Sequence, residues 1–201
     1  VGHDGPYAGR RVYDAIVQAV SGIGSLQADP KTGRPQLVNS LICDKLTSMT
    51  AAQSISSALV ARERSGVGQR IDVSMLDSAL FFMWPDAMLN YTFIGDESLY
   101  TWAASHAGMI RQTSDGFICT MPVQQDEWLG LFAALKLPNL IEDPQYHTET
   151  GINMIALNVT LDAAFASFTT AELDTRLEQH QVPFARVNAR DEVVNDPQVV
   201  A

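Results

Sequence analysis

One aspartate stands where an ionised carboxylate is well placed to attack an electrophile. Asp44 follows a short apolar segment, Leu37 to Cys43, and precedes a long helical pattern from about Thr47 to Arg64. Backbone N–H groups and the helix dipole at such a place hold a carboxylate ionised, which suits a nucleophile. The same position is that of an ordinary helix cap, for which Asp is a preferred residue. On the residues alone both readings stand. Asp14 has a similar double character, since its charge favours the start of its own helix. Other chemistries lack their residues: there is no GxxxxGK[ST], no HExxH and no GxSxG, and Gly22-Ile23-Gly24 lacks the third glycine of a dinucleotide fingerprint. The histidines at 3, 106, 147 and 180 are far apart, and Cys43 and Cys119 show no CxxC spacing. Neither a disulfide framework nor a metal site is expected.

The elements that must position these side chains follow from periodicity. Val12, Ile16, Val17 and Val20 fall at helical spacing up to Ser21-Gly22, and Asp29-Pro30-Lys31-Thr32-Gly33 reads as a turn. Leu37–Cys43 reads as a strand-like segment. The long helix carries Met49, Ala52, Ile55 and Leu59 on one face and stops at Gly66-Val67-Gly68. Arg70 to Met75 alternates as a half-buried strand does, and Ser74 with Asp77 three residues on opens a helix that breaks at Pro85. Phe81-Phe82-Met83-Trp84 reads as core. From Asn90 to His106 the period is lost. Beyond it Met109–Thr113 and Phe117–Met121 form a hairpin about Asp115-Gly116, with Asp-Gly supplying positive-φ positions. Helices follow at Trp128–Leu135, Asn158–Phe168 and Ala171–His180, the last opened by Thr169 and Glu172 as a capping box, and Phe184–Val187 reads as a strand.

Composition bounds the partners. The chain has 201 residues, 46% hydrophobic, with 13 Lys+Arg against 23 Asp+Glu and a net charge of −10. A sizeable core is expected. The acidic balance argues against nucleic acid, because duplex binding rests on many Lys/Arg–phosphate contacts. No apolar run is long enough for a bilayer span, and no membrane association is expected. The sparse cysteines fit a reducing, cytoplasmic setting. The chain begins at Val1 and stops at Asp196-Pro197-Gln198-Val199-Val200-Ala201, and reads as a piece of a longer protein.

A resemblance covers most of the chain. Gly5-Pro6-Tyr7-Ala8-Gly9-Arg10-Arg11-Val12-Tyr13-Asp14, with Gln18-Ala19 and Ser21-Gly22, resembles the "GPYAxRxxYDxxxQAxSG" segment of the family III CoA-transferases (the CaiB/BaiF family). Asp44-x-x-Thr47, Ala51-Ala52, Ala58-Leu59-x-x-Arg62 and Gly66-x-Gly68-Gln69-x-Ile71-Asp72-Val73-Ser74-Met75-Leu76-Asp77 resemble its next block in order and spacing. Thr113-x-Asp115-Gly116, Pro138-x-Leu140, Asp143-Pro144, Val182-Pro183 and Asp196-Pro197-Gln198-Val199 resemble its small-domain landmarks.

The resemblance implies an α/β fold: the latter part of a Rossmann-like CoA-binding domain over 1–90, a linker at 91–107, and a smaller α/β domain over 108–201. It implies an interlocked homodimer that uses acyl-CoA and a carboxylic acid as substrates, with no permanently bound cofactor. Asp44 is implied to be the catalytic nucleophile. It would form a mixed anhydride and then an aspartyl-CoA thioester, with backbone N–H groups around Asp44 as oxyanion donors. Arg11 and Tyr13 are implied to lie near CoA and the thioester, with Asp14 beside them. Lys45 puts a cation next to the nucleophile, either to bind an acceptor carboxylate or to face solvent. Two other functions are carried. One is epimerisation of an acyl-CoA, disfavoured because Tyr13 stands where that branch has a histidine and a phenol of pKa ~10 is a poor base. The other is a non-catalytic CoA-binding or scaffold role. A packed, helix-start aromatic is the alternative for Tyr13.

Overall fold

The computed structural model describes residues 1–88, 91–92, 95, 108–148 and 151–201. The chain divides into two units, Val1–Ala104 and Ser105–Ala201. Apart from 91, 92 and 95, the expected linker at 91–107 lies outside the described residues.

The first unit is helical among its described residues. Helix α1 (Asp14–Ser21) turns Val17 inward and ends at Gly22, whose φ of 94° needs a residue without a Cβ. A single turn, α2 (Ile23–Leu26), follows. The Asp29 turn forms as expected: Asp29 Oδ1 accepts from the N–H of Lys31 (3.0 Å) and Thr32 (2.8 Å). Helix α3 (Ile42–Ser65) spans 24 residues and closes at Gly66, φ 72°. Helix α4 (Met75–Met83) starts at Ser74, whose hydroxyl accepts from Asp77 N–H at 3.2 Å. Helix α1 packs against α2, α3 and α4, and α3 against α4, around Val17, Ile23, Cys43, Ala79 and Met83.

Three expectations for this unit are corrected. Helix α3 starts at Ile42, so Asp44 lies inside the first turn instead of before it. Leu37–Cys43 and Arg70–Met75 are not strands. An extended, alternating segment becomes a strand only through ladder hydrogen bonds, and no strand partner stands beside either among the described residues. Met49, Ile55, Leu59, Phe82 and Trp84 are exposed, and Phe81 is 82% exposed, so within this unit the α3 face is not core, and of the run Phe81-Phe82-Met83-Trp84 only Met83 is.

The second unit supplies the sheet. Strands β1 (Ile110–Gln112) and β2 (Phe117–Thr120) pair antiparallel with Ile110 opposite Cys119 and Gln112 opposite Phe117. Helix α5 (Gln125–Ala134) comes next, then a short antiparallel pair, β3 (His147–Thr148) with β4 (Gly151–Ile152). Helices α6 (Met154–Ala166) and α7 (Thr170–Gln179) lead to β5 (Phe184–Arg186), which joins the free side of β2, and a last short helix is α8 (Pro197–Val200). Ile118, Leu131, Leu161, Phe165, Leu173 and Leu177 form the centre of the core. Arg111 of β1, 5% exposed, reaches α6 through Asn158 Oδ1 (2.7 Å) and an ion pair with Asp162. Both capping boxes, Thr169/Glu172 and Gln124/Glu127, are formed.

The hairpin turn differs from expectation. Four residues, Thr113–Gly116, connect the strands, closed by Thr113 N–H to Gly116 O at 2.9 Å, and neither Asp115 nor Gly116 has positive φ. The pair is there to dock the loop on α7. Asp115 Oδ1 accepts from Thr170 N–H (2.7 Å) and Thr170 Oγ1 (2.8 Å), while a Cβ on Gly116 would meet Thr170 Oγ1 at 3.0 Å. Asp115 thus serves the orphan donors at the start of α7 together with Thr169.

These contacts make the unit acid-sensitive. Hydrogen bonds from Thr170 hold the Asp115 carboxyl below its ordinary range, those from Thr169 lower Glu172, and those from Gln124 and Val123 lower Glu127. A folded pKa below the unfolded value contributes stability above the unfolded pKa and loses it as pH falls through the folded one. The melting temperature, followed by circular dichroism, is therefore expected to be flat above pH ~5 and to fall steadily below pH ~4. Asp115→Asn shallows that slope.

Helices α5 and α7 end in Schellman turns on non-glycine residues. Lys136 (φ 62°) and Gln181 (φ 56°) take the left-handed position, with Leu137 N–H to Phe132 O at 2.7 Å and Val182 N–H to Leu177 O at 3.0 Å. An L-residue pays about 1 kcal/mol there. Gln181→Gly is expected to raise the melting temperature by about 4 °C, read by calorimetry.

Candidate active site

The site grows from two turns of α1. Asp14 and Gln18, four residues apart, share the face of Val17 and Ser21 and are buried with them; Asp14 is 3% exposed. Gln18 Nε2 donates to Asp14 Oδ1 at 2.5 Å and to Ser40 O at 3.1 Å, and Gln18 Oε1 accepts from Val38 N–H at 2.9 Å. One amide side chain thus holds the segment that leads into α3.

The second oxygen of Asp14 reaches α3 itself. Its N-cap residue, Leu41, has no side-chain acceptor, so the first-turn donors need one from elsewhere. Asp14 Oδ2 accepts from Cys43 N–H at 2.7 Å and from Asp44 N–H at 3.1 Å, across 30 residues of sequence. Asp44 stands exposed in this first turn, and among the described residues its carboxylate accepts no hydrogen bond and makes no ion pair. Cys43, fully buried, has its thiol pushed up to about 11 by burial and then by the charges of Asp14 and Asp44. At neutral pH it is a packing residue and no rival nucleophile.

The remaining candidates divide. Tyr13 is the N-cap of α1 and 69% exposed, which excludes the packed-aromatic alternative within this unit. Lys45 bends back along the helix, Nζ 3.4 Å from Leu41 O, and makes no ion pair with Asp44. Arg11, exposed, lines an open cavity of about 310 Å³ with Tyr7, Arg10, Val12, Ile16 and Val20. Arg10 lies over the Tyr7 ring at 3.9 Å.

Two expectations are corrected here. Asp14 is no surface contact for a substrate, because its oxygens are buried and spent on Gln18 and α3. Nor are the N–H groups around Asp44 open oxyanion donors: Asp14 takes those of Cys43 and Asp44, and Lys45 N–H bonds Leu41 O at 3.2 Å. Gln18 is the residue that sequence reasoning left without a role. A polar side chain one helical turn after Asp14, on the buried stripe of an otherwise apolar pattern, was the available signal.

The family model for CoA-transferase family III matches residues 1–201, and the chain belongs to that family. It is 29% identical over 205 residues to mouse succinyl-CoA:glutarate CoA-transferase, covering 99% of this chain and 46% of that protein. It is 27% identical over 206 residues to succinate–glutarate CoA-transferase of Agrobacterium fabrum, covering 100% and 51%. The crystal structure of Rv3272 from Mycobacterium tuberculosis superposes with a TM-score of 0.82 at 25% identity over 99% of this chain and 53% of that one. The chain thus spans about half the length of the curated relatives it matches, and the α/β class expected from the sequence agrees with the family and its solved structures.

Proposed function

We propose that the protein transfers coenzyme A between carboxylic acids, with Asp44 as the nucleophile. What supports this most is an exposed carboxylate that accepts no hydrogen bond among the described residues, on a backbone held by Asp14, in a chain of CoA-transferase family III. Relatives named as succinyl-CoA transferases acting with glutarate, citramalate or mesaconate make a dicarboxylic acid the acceptor class to try first.

In this reading an Asp44 oxygen attacks the thioester carbonyl of the acyl-CoA. The C–O bond of a mixed anhydride forms, the C–S bond breaks, and CoA leaves as a thiolate. The thiolate then attacks the Asp44 carbonyl carbon, giving an aspartyl-CoA thioester and releasing the donor acid as its carboxylate. The acceptor carboxylate reverses the sequence: it displaces CoA thiolate to form its own anhydride with Asp44, and the thiolate takes the acceptor acyl group. Each intermediate keeps a high acyl-transfer potential, so hydrolysis is avoided only where water is scarce. CoA is a polyanion, and Arg10 and Arg11 beside the cavity at the start of α1 are the cations proposed to meet it. The same reading has the exposed apolar faces of α3 and α4 covered in a homodimer of the whole protein, working in the cytoplasm.

Hydroxylamine quenching tests the covalent step. During turnover of the full-length protein with succinyl-CoA and glutarate, a hydroxamate is expected on the peptide that contains Asp44, read by mass spectrometry. Exchange without such a mark on Asp44 under trapping conditions overturns the assignment.

A further inference from the structure

We infer that Asp14 is a positioning residue for Asp44, fastened in turn by Gln18, and that the pair keeps the nucleophile both placed and unquenched. The inference rests on the reading of Asp44 as nucleophile. Asp14 binds the very N–H of Asp44, so the Cα from which the reactive carboxylate springs is held to α1 by a charge-assisted bond of 3.1 Å, with a second of 2.7 Å to the residue before it. Gln18 leaves Asp14 little freedom: it donates to the other oxygen at 2.5 Å, while its remaining contacts go to the backbone of Val38 and Ser40.

The electrostatic half of the inference follows from where a helix keeps its positive end. The first-turn N–H groups of α3 would otherwise attract the nearest carboxylate, and Asp44 sits among them. A carboxylate that accepts those bonds has its lone pairs committed and attacks more slowly. Asp14 occupies them with its own charge, and the Asp44 carboxylate accepts no hydrogen bond among the described residues. The buried aspartate takes the capping duty; the exposed one is left for chemistry.

Two variants of the full-length protein test this. Asp14→Asn removes the charge at constant size and turns an amide N–H toward Gln18 Nε2. It is expected to lower kcat for CoA exchange by about 10²-fold, the scale of a misplaced reacting group, with KM for the acyl-CoA within about threefold. Gln18→Met keeps the volume and unfastens one side of Asp14, and is expected to lower kcat on the order of tenfold with KM unchanged. Amide hydrogen exchange at Cys43 and Asp44 should quicken in both. If Asp14→Asn is too unstable to assay, Gln18→Met alone decides. Unchanged kcat in the assayable variants, or a raised KM at constant kcat, overturns the positioning role while an inactive Asp44→Ala leaves the nucleophile intact. Full exchange by Asp44→Ala overturns the nucleophile and the positioning role together.

Discussion

Asp44→Ala is expected to cut CoA exchange by the full-length protein on the order of 10⁴-fold or more, because deleting the proposed covalent nucleophile removes the proposed route itself instead of trimming one contact along it. Truncating an exposed side chain in the first turn of a 24-residue helix costs little stability. Binding of CoA and the melting temperature should both stay close to wild type, so the loss falls on kcat. Asp44→Asn is the sharper comparison, since it keeps shape and polarity and lacks a nucleophilic oxyanion. Coupled assay of product acyl-CoA by chromatography measures both. Turnover of Asp44→Ala within tenfold of wild type would sink the mechanism.

The second large effect concerns the small unit's architecture. Gly130 lies in α5 where the Schellman turn of α7 comes closest, and a Cβ there would meet His180 O at 2.4 Å and Val182 Cγ2 at 3.2 Å. The first contact is with backbone that is itself tied down, by Gln181 N–H to Glu178 O and Val182 N–H to Leu177 O, both at 3.0 Å. The clash therefore has no flexible side chain to yield. Alanine gains about 1 kcal/mol in helix propensity over glycine, but forced separation of α5 from α7 costs about 3 kcal/mol, leaving a net loss of about 2 kcal/mol. Gly130→Ala should lower the melting temperature of this unit by roughly 10 °C, and Gly130→Val further still. A calorimetric shift under 2 °C would mean that the two helices part easily.

Much of the scaffold was legible because its signals are local. Ser74 with Asp77, Thr169 with Glu172, Gly22 after Ser21 and the Asp29 turn each act over a few residues and form as read. Asp115-Gly116 marked the right place for a turn but the wrong turn, since its partner, Thr170, is 55 residues away. The same limit explains α3. Its start at Ile42 depends on a cap delivered by Asp14, and no window around Leu41 contains that acceptor. The family resemblance points to Asp44 as the nucleophile proposed above, whereas nothing in the sequence near it announces the bond from its N–H to Asp14. Alternation at Arg70–Met75 misled because a period of two describes an extended chain whether or not a neighbouring strand completes it. The left-handed positions of Lys136 and Gln181 carry no glycine to announce them.

The origin of the α3 cap has one more consequence. A helix capped by its own N-cap residue inherits its starting point from the loop before it, so lengthening that loop moves the helix. Helix α3 is registered on α1, and the intervening Asp29 turn closes on itself, with Asp29 N–H to Arg34 O at 2.9 Å and Gly33 N–H to Asp29 O at 2.8 Å. Residues 30–33 are therefore a place where the chain can be lengthened, tagged or exchanged without shifting Asp44, because the position of that carboxylate is written in helix packing and not in the path between the helices.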